Sequence, residues 1–547
     1  MFPRTHVVHK GERTYTYLKV VENTTRRGKV VQKTLINLGN VDSWPAGKLE
    51  QAVRVLSRFV GVEMSELWQV HVSDCRQLGP YLALSGIWDE LDMDAILEGA
   101  LGARKVEIPV AQYVRAMVFN RLVDPCSKKA VHEAMATQVQ MPGVNAADLP
   151  LHGYYRALAY LSQVKPMVEQ AAHMRVAHLF NRDVSLVFYD LTSAYFEGKG
   201  CEMACNGYSR EHRPDLVQIE IGLLVDGDGV PIGHEVFEGN VQDGATVVGT
   251  LDRLQRDFGV QRCVFVGDDG MACEANLKAI AARGYEYITS LSLRQSRSGA
   301  MLLASLPPRR TFEPLLDNLW VRPLGVVEGA RYIGSYNPDR ARTTRQHRKE
   351  RLRGCVAHLR ELQAPPKPNA NKRDPIEKAT RFLARKHCTA FFDIGKDAQG
   401  RLSWTLNRAM LRAERAQDGL IILRTNSKTL TDKDVALGYR QLWRVENAFR
   451  HIKDPIRLRP IRHWRDPRVM GHVFVCVLAH MLERLLDLRL EKAKMGLTAR
   501  AALDALETIT LSTLTLDDKQ VRRRSEITPL QAKILAAAGV HHVPEIW

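Results

Sequence analysis

Apolar and polar residues alternate along two stretches near the start of the chain, YTYLKVVE and KVVQKTLINL, on either side of Thr24-Thr25-Arg26-Arg27-Gly28. Period-two alternation about a turn-rich centre predicts a β-hairpin over Thr14–Leu38. Its basic tip suits either a phosphate-contacting ribbon or a solvated turn. From Ala46 to about Asn181 the apolar repeat lengthens to three or four residues. Helices are expected there over Lys48–Val60, Gly79–Leu97, Val110–Leu122, Lys128–Ala136 and Tyr154–Leu179. At Asp183 the character switches. Ser185–Asp190 is a short apolar run ending in an acid, and Leu216–Asp226 and Ile232–Phe237 read as strands around the turn Gly227-Asp228-Gly229. A helix over Ala245–Phe258 leads to a second apolar run, Arg262–Gly267, which ends in Asp268-Asp269 before a helix over Cys273–Arg283. This order is an α/β pattern.

Residues from about Glu286 to Thr431 interrupt that pattern. Strands over Tyr287–Leu291, Ala330–Tyr336 and Thr389–Ile394 mix with an arginine-rich helix, Asp339–Leu359, and a loop, APPKPNANK. The run Arg342, Arg345, Arg348, Lys349, Arg351 has only Glu350 opposing it, which makes it either a solvated face or a track for a phosphate backbone. After a last strand, Leu420–Thr425, comes YRQLWRVENAFRHIK, Tyr439–Lys453, with no Gly or Pro until Pro455. A single helix is expected, on which Tyr439, Glu446, Arg450 and Lys453 share an arc of roughly 60°. Leu442, Val445, Phe449 and Ile452 form the adjoining apolar stripe. The chain thus divides into a hairpin at 1–45, a helical DNA-binding region at 46–182 and an α/β core at 183–285 and 431–490. A mainly β insertion at 286–430 interrupts the core, and a helical tail follows at 491–547 with a basic patch at Lys519–Arg524.

At 547 residues the chain is too long for one core. Its net charge of +17 favours a polyanionic partner, most simply DNA, because bound Lys and Arg release condensed counterions. The N-terminus lacks an apolar signal core, and the apolar stretch Val469–Leu486 carries His472, His480, Glu483 and Arg484, so it reads as a buried soluble helix rather than a span. Nine cysteines without paired CxxC spacing argue against a zinc site and for a reducing, cytoplasmic setting.

Asp190 and Asp268 each end an apolar strand, where open α/β sheets place their ligands, and Glu446 arrives later on a helix. Three such carboxylates suit Mg²⁺, a hard ion that takes few protein oxygens and keeps waters and substrate phosphate as its other ligands. His212 and Asp215, and Asn240 and Asp243, lie near strand ends as turn caps or as support for that site.

These residues resemble the DDE transposases of bacterial insertion sequences, in the insertion-sequence-four superfamily with the signature Tyr-x2-Arg-x3-Glu-x6-Lys. Tyr439, Glu446 and Lys453 match that spacing, FYDLTSAYFEG matches the first acidic block at Asp190, and VGDDGM the second at Asp268 in preference to Asp269. The resemblance implies a ribonuclease-H-like fold with Asp190, Asp268 and Glu446 as catalytic metal ligands. It also implies Mg²⁺, replaceable by Mn²⁺, and a homodimer on double-stranded DNA, both the terminal inverted repeats and the target. Tyr439 and Lys453 would contact phosphates, and Trp443 or Trp320 either holds a flipped base or packs in a core. Leu442 stands where the family has Arg, leaving Arg440, Arg444 or Arg450 to supply that phosphate contact, Arg450 being nearest Glu446 on the wheel. The competing readings are a DNA-binding derivative without catalysis and a ribonuclease-H-like nuclease without strand transfer.

Overall fold

The computed structural model describes residues 2–547 except 11–12, 27–28, 43, 45–46, 49–50, 54, 56–70, 103, 105, 181–184, 292–296, 365–373 and 517–518. The tip of the expected hairpin at Arg27-Gly28, most of the expected Lys48–Val60 helix and most of the APPKPNANK loop therefore fall outside the described residues. The chain forms two compact units. One comprises Met1–Leu78, Thr508–Ile527 and His542–Trp547, and the other Gly79–Glu507 with Thr528–His541.

In the smaller unit β1 (Phe2–Lys10), β2 (Arg13–Arg26) and β3 (Lys29–Asn40) form an antiparallel sheet in that order. The expected hairpin is the β2–β3 pair. A second sheet joins β4 (His71–Gln77) to two strands from the end of the chain, β16 (Thr510–Leu516) and β17 (Lys519–Arg524).

The larger unit is mixed α/β. Its sheet has nine strands: β5 (Leu186–Tyr195), β6 (Gln218–Asp226), β7 (Pro231–Glu238), β8 (Val264–Gly267), β9 (Glu286–Leu291), β10 (Glu313–Leu316), β11 (Leu319–Val327), β12 (Ala330–Tyr336) and β15 (Leu420–Thr425). Their order is β10-β11-β12-β15-β9-β8-β5-β6-β7. The β5–β8 and β8–β9 pairs are parallel and the rest antiparallel. Along β5, Val187, Tyr189 and Leu191 enter a core with Leu251, Leu254, Leu277 and Ile280 of the helices Asp243–Arg256 and Glu274–Ala282. By the two-residue repeat of a strand, Phe188 and Asp190 face the other side. Asp190 does not end its strand as expected, since β5 continues to Tyr195 in its ladder with β6.

The Trp443–Lys453 helix packs across β5 and β6. Behind it lies the Asp466–Lys492 helix, which is long and apolar enough to cross a membrane but is buried inside the fold, against the helix Leu151–Phe180 and β7. The helices expected between residues 79 and 180 are present, except that the one expected over Gly79–Leu97 is two, Gly79–Glu90 and Met93–Leu101, broken where Asp92 takes a left-handed conformation; Val110–Val123 is buried on nearly every side. Its Arg115 pairs with Asp89 and Asp94 at 2.9 and 2.8 Å, so this cation serves packing and not a partner.

Three further expectations differ from the structure. The stretch from 286 to 430 is not mainly β: helices Pro338–Gln363, Pro375–Arg385 and Arg408–Gln417 outweigh its strands, most of which simply extend the large sheet. Only β13 (Phe392–Lys396) and β14 (Leu402–Leu406) stand apart, sharing a small core of Leu359, Leu383, Phe391 and Leu411 with those helices. The end of the chain is not wholly helical, because β16 (Thr510–Leu516) and β17 (Lys519–Arg524) pair, and the basic patch is itself a strand. Finally, Tyr439–Lys453 is two helices, Asp432–Arg440 and Trp443–Lys453, joined at Gln441-Leu442.

Candidate active site

The register of β5 against β8 sets Phe188 opposite Val266. Asp268 follows directly on the end of β8 at Gly267, and its charge reaches Asp190 on β5. Both aspartates are half-buried, whereas Asp269 is exposed. Loss of water, then Asp268, and more weakly Glu446, push the Asp190 carboxyl up to about 7, against an N–H from Leu191 at 2.8 Å. Burial, then Asp243 and Asp269, also raise Asp268, and its Oδ1 is buried with no hydrogen-bond partner. Two acids that repel each other ionise readily only when positive charge comes near. An unpartnered carboxylate oxygen within electrostatic reach of a second carboxylate is therefore a donor set of the kind a hard divalent cation takes.

Glu446 is exposed in the first turn of its helix, on the edge of the stripe formed by Val445, Ala448, Phe449 and Ile452, which is buried. The preceding helix starts at Thr431, whose hydroxyl and Asp434 form a capping box. At its end Gln441 donates to Gly438 at 3.1 Å and Leu442 to Tyr439 at 3.0 Å, the tighter spacing of a 3₁₀ turn. No Gly or Pro marks this break. It turns Leu442 inward, where it is 7% exposed. Tyr439 is half-buried, hydrogen-bonds Ser290 and lies within electrostatic reach of Asp268, Asp269 and Glu446, with burial raising its phenol. The break therefore does not carry it away from the acids. Trp443 is 52% exposed beside Arg444 and is not a core residue. Trp320 packs edge-on against Tyr336 beside a core cluster.

Around the acids is a polar network that the sequence only half discloses. Arg210 bridges Glu220 at 2.5 Å and Asp243 at 2.6 Å. Burial lifts Glu220 to about 7 despite that arginine. Asp243 thus supports the site, whereas Asp215 simply pairs with Arg213 at 2.9 Å. Lys453 pairs with Glu211, whose other oxygen takes Arg459 at 2.9 Å. Burial lowers the Lys453 ammonium below its ordinary value. Glu220 was visible as an acid within an otherwise apolar strand; Arg210 and Glu211 carry no spacing signal in the segment SRE.

The arginine run divides. Arg342 is exposed and pairs with Asp339 at 2.8 Å, and Arg345 is half-exposed against Asp418 at 3.2 Å. Arg348 is buried against Asp418, so it ties its helix to the turn before β15 and does not face a partner. Arg450 is exposed. Among the described residues, the group whose metal-ligand atoms all lie within 4.8 Å is His451, His480 and Glu483, not the three acids. Direct hydrogen bonds of 3.1 Å from both ring Nδ1 atoms to Glu483 Oε2 account for that closeness without an ion.

Acids on and after neighbouring strands, beneath a helix with an acid on its edge, are an arrangement suited to metal-dependent phosphoryl transfer. Residues 185–482, more than half of the chain, match the family model of the transposase DDE domain, and the chain belongs to that family as a DNA transposase. Residues 4–65 match the N-terminal domain of IS1634 family transposases. No curated protein matches the chain. Among solved structures it is similar to a piggyBac transposase in a cryo-EM synaptic complex with hairpin DNA, at 8% identity over 78% of this chain and 79% of that one, with a TM-score of 0.36.

Proposed function

We propose that Asp190, Asp268 and Glu446 are the catalytic acids, on a ribonuclease-H-like core, and that they work with Mg²⁺, for which Mn²⁺ substitutes. The reaction is nicking of DNA at the ends of the insertion sequence and joining of the 3′-hydroxyl to target DNA. The observation that carries this reading is that Asp190, on β5, and Asp268, directly after the neighbouring parallel strand β8, lie within electrostatic reach of each other, and Asp268 keeps a buried oxygen without a partner. The strand order β7-β6-β5-β8-β9, antiparallel then parallel, supports the core assignment.

Held by the three acids, divalent ions supply an activated water or 3′-hydroxyl and stabilise the leaving oxygen. The chain's own residues position the rest. Arg210 neutralises Glu220 and Asp243, so this second ring of acids does not add its full repulsion to the first. Lys453 and Tyr439 meet phosphates near the cleaved bond, and Arg450 supplies the contact that Leu442 cannot. Arg342 and Arg345 track the backbone further away; Arg348 is dropped because it is buried in an ion pair. The protein acts as a homodimer on its terminal repeats, in the cytoplasm beside the nucleoid.

A cleavage assay on the element's own terminal repeats tests this. Asp268→Asn is expected to lower cutting by at least a hundredfold while leaving end binding within about twofold, since it removes a metal ligand and not a basic contact. Asp269→Asn is expected to cut normally. Dead Asp269→Asn with active Asp268→Asn overturns the assignment. Binding without cutting by the wild type favours the inactive derivative, and cutting without joining favours the plain nuclease.

A further inference from the structure

Beyond Lys453 the chain builds a second cationic site. A cavity of about 730 Å³ is walled by the loop from Arg457 to Trp464, the start of the Asp466–Lys492 helix and the N-terminus of the ten-residue helix Lys128–Thr137. Six cations line it, Arg121, Lys128, Arg457, Arg459, Arg462 and Arg468, and no carboxylate does among the described residues. Four of the six are engaged. Arg121 donates to the main-chain oxygens of Cys126, Ile456 and Arg457, and Arg457 to that of Pro125 at 2.9 Å. Arg462 pairs with Glu197, and Arg459 with the same Glu211 that holds Lys453.

Two are not. Lys128 is only 3% exposed, yet no hydrogen bond or ion pair reaches its ammonium among the described residues. Among the described residues Arg468 has only the face of Tyr155, 5.5 Å away. His472, also buried, donates from Nε2 to Leu458 at 3.0 Å, which leaves its Nδ1 without a partner. A buried cation without a counter-charge is costly, and a second observation agrees. Burial and then the neighbouring Lys128, Arg121 and Arg468 drive His463 down to about 3, and burial followed by the same Lys128 and Arg121 moves His472 in the same direction. Burial and then Arg121 hold the Lys128 ammonium itself well below its ordinary value, so an anion entering the cavity would restore a charge that no carboxylate among the described residues supports. The helix N-terminus at Ser127-Lys128 adds main-chain N–H groups to the same wall.

An exposed aromatic completes the site. Trp464, on the rim, is 68% exposed. A flat apolar ring beside cations is the arrangement on which unpaired bases stack. A smaller cavity of about 330 Å³ shares Tyr155 and Arg468 and adds Arg156 and Arg465, which extends the basic surface past the rim.

We propose that the Lys128 cavity binds a backbone phosphate of an unpaired DNA strand, with Trp464 stacking on the adjoining base. The inference rests on the reading of this chain as a transposase, and it deepens that reading by giving the strand leaving the acidic site a place to go. Arg459 and Lys453 share one carboxylate, so the two sites are neighbours.

The test uses the full-length protein and a fluorescein-labelled twelve-residue single-stranded thymidine oligonucleotide, followed by anisotropy in the absence of divalent metal. Lys128→Met and Trp464→Ala are each expected to weaken binding about tenfold or more, and an abasic oligonucleotide to reproduce the Trp464→Ala loss on the wild type. Trp464 is exposed, so its variant keeps the test open even if the buried change disturbs folding. Binding by either variant within twofold of the wild type, with its thermal melt unchanged, overturns the proposal. Asp268→Asn is expected to bind the oligonucleotide normally. If the wild type never cuts its terminal repeats but both pocket variants lose the oligonucleotide, the cavity stands and the cut-and-join reading falls.

Discussion

Leu442 occupies the position at which the family signature has Arg, and its burial at a tight turn explains how an apolar residue is accommodated there. An arginine at 442 would have to leave the core or bury its charge. Glu483 shows the opposite use of charge in a core. It is buried, accepts hydrogen bonds from His451 on the helix of Glu446 and from His480 on its own, and is held down to about 2, mostly by those two bonds acting against burial. A carboxyl lowered in the folded state stabilises it fully above its ordinary value near 4.5, and that contribution is lost as pH falls towards 2. His451 is raised, mainly by its bond to Glu483, so its share is present below about 6.5 and fades as pH rises through its folded value. Glu483→Gln is expected to cost about 3 kcal/mol in urea unfolding at pH 6, as for a broken buried pair. That difference should narrow between pH 4.5 and 2; a gap constant across the window would contradict the pairing.

At the scale of elements, the acidic helix is positioned by what lies behind it. The Leu151–Phe180 and Asp466–Lys492 helices cross so closely at Gly471 that an added Cβ would sit 2.1 Å from the Leu158 carbonyl oxygen. Gly471→Ala is therefore expected to destabilise the larger unit by roughly 2 kcal/mol, the usual cost of overpacking. A thermal melt within 1 °C of the wild type would show that the crossing yields freely. This contact was not legible in the sequence, since a lone glycine in a helical pattern has no partner until the fold supplies one. The strands that carry Asp190 and lead to Asp268 were legible as short apolar runs, but the end of the first was not: β5 runs on past Asp190 to Tyr195, because Leu191, Thr192, Ser193 and Ala194 continue its buried ladder with β6. The break at Gln441-Leu442 was not, as neither residue disfavours a helix and only burial of Leu442 against the core decides it. The hairpin of β16 and β17 was likewise hidden, its arginine-rich second strand having no apolar alternation to announce it.

At the scale of the molecule, a net charge of +17 is distributed unevenly in function. Arg115, Arg121 and Arg348 are interior residues that hold helices and turns, so counting basic residues overstates the DNA-facing surface. The outward cations lie along the Pro338–Gln363 helix and on the rim beyond Lys453. Composition pointed to nucleic acid, but the partition between packing and binding became visible only when partners were assigned. In the proposed function, parts of the chain far apart in sequence meet as Asp190 inside β5, Asp268 after β8 and Glu446 on a helix, to hold divalent ions jointly. Direct ligation is tested by Asp268→Cys, because a thiolate accepts Mn²⁺ far better than Mg²⁺. Cleavage of the terminal repeats by this variant is expected to vanish in Mg²⁺ and to return at least in part in Mn²⁺; wild-type cutting in Mg²⁺, with the loss appearing in Asp269→Cys instead, would contradict it.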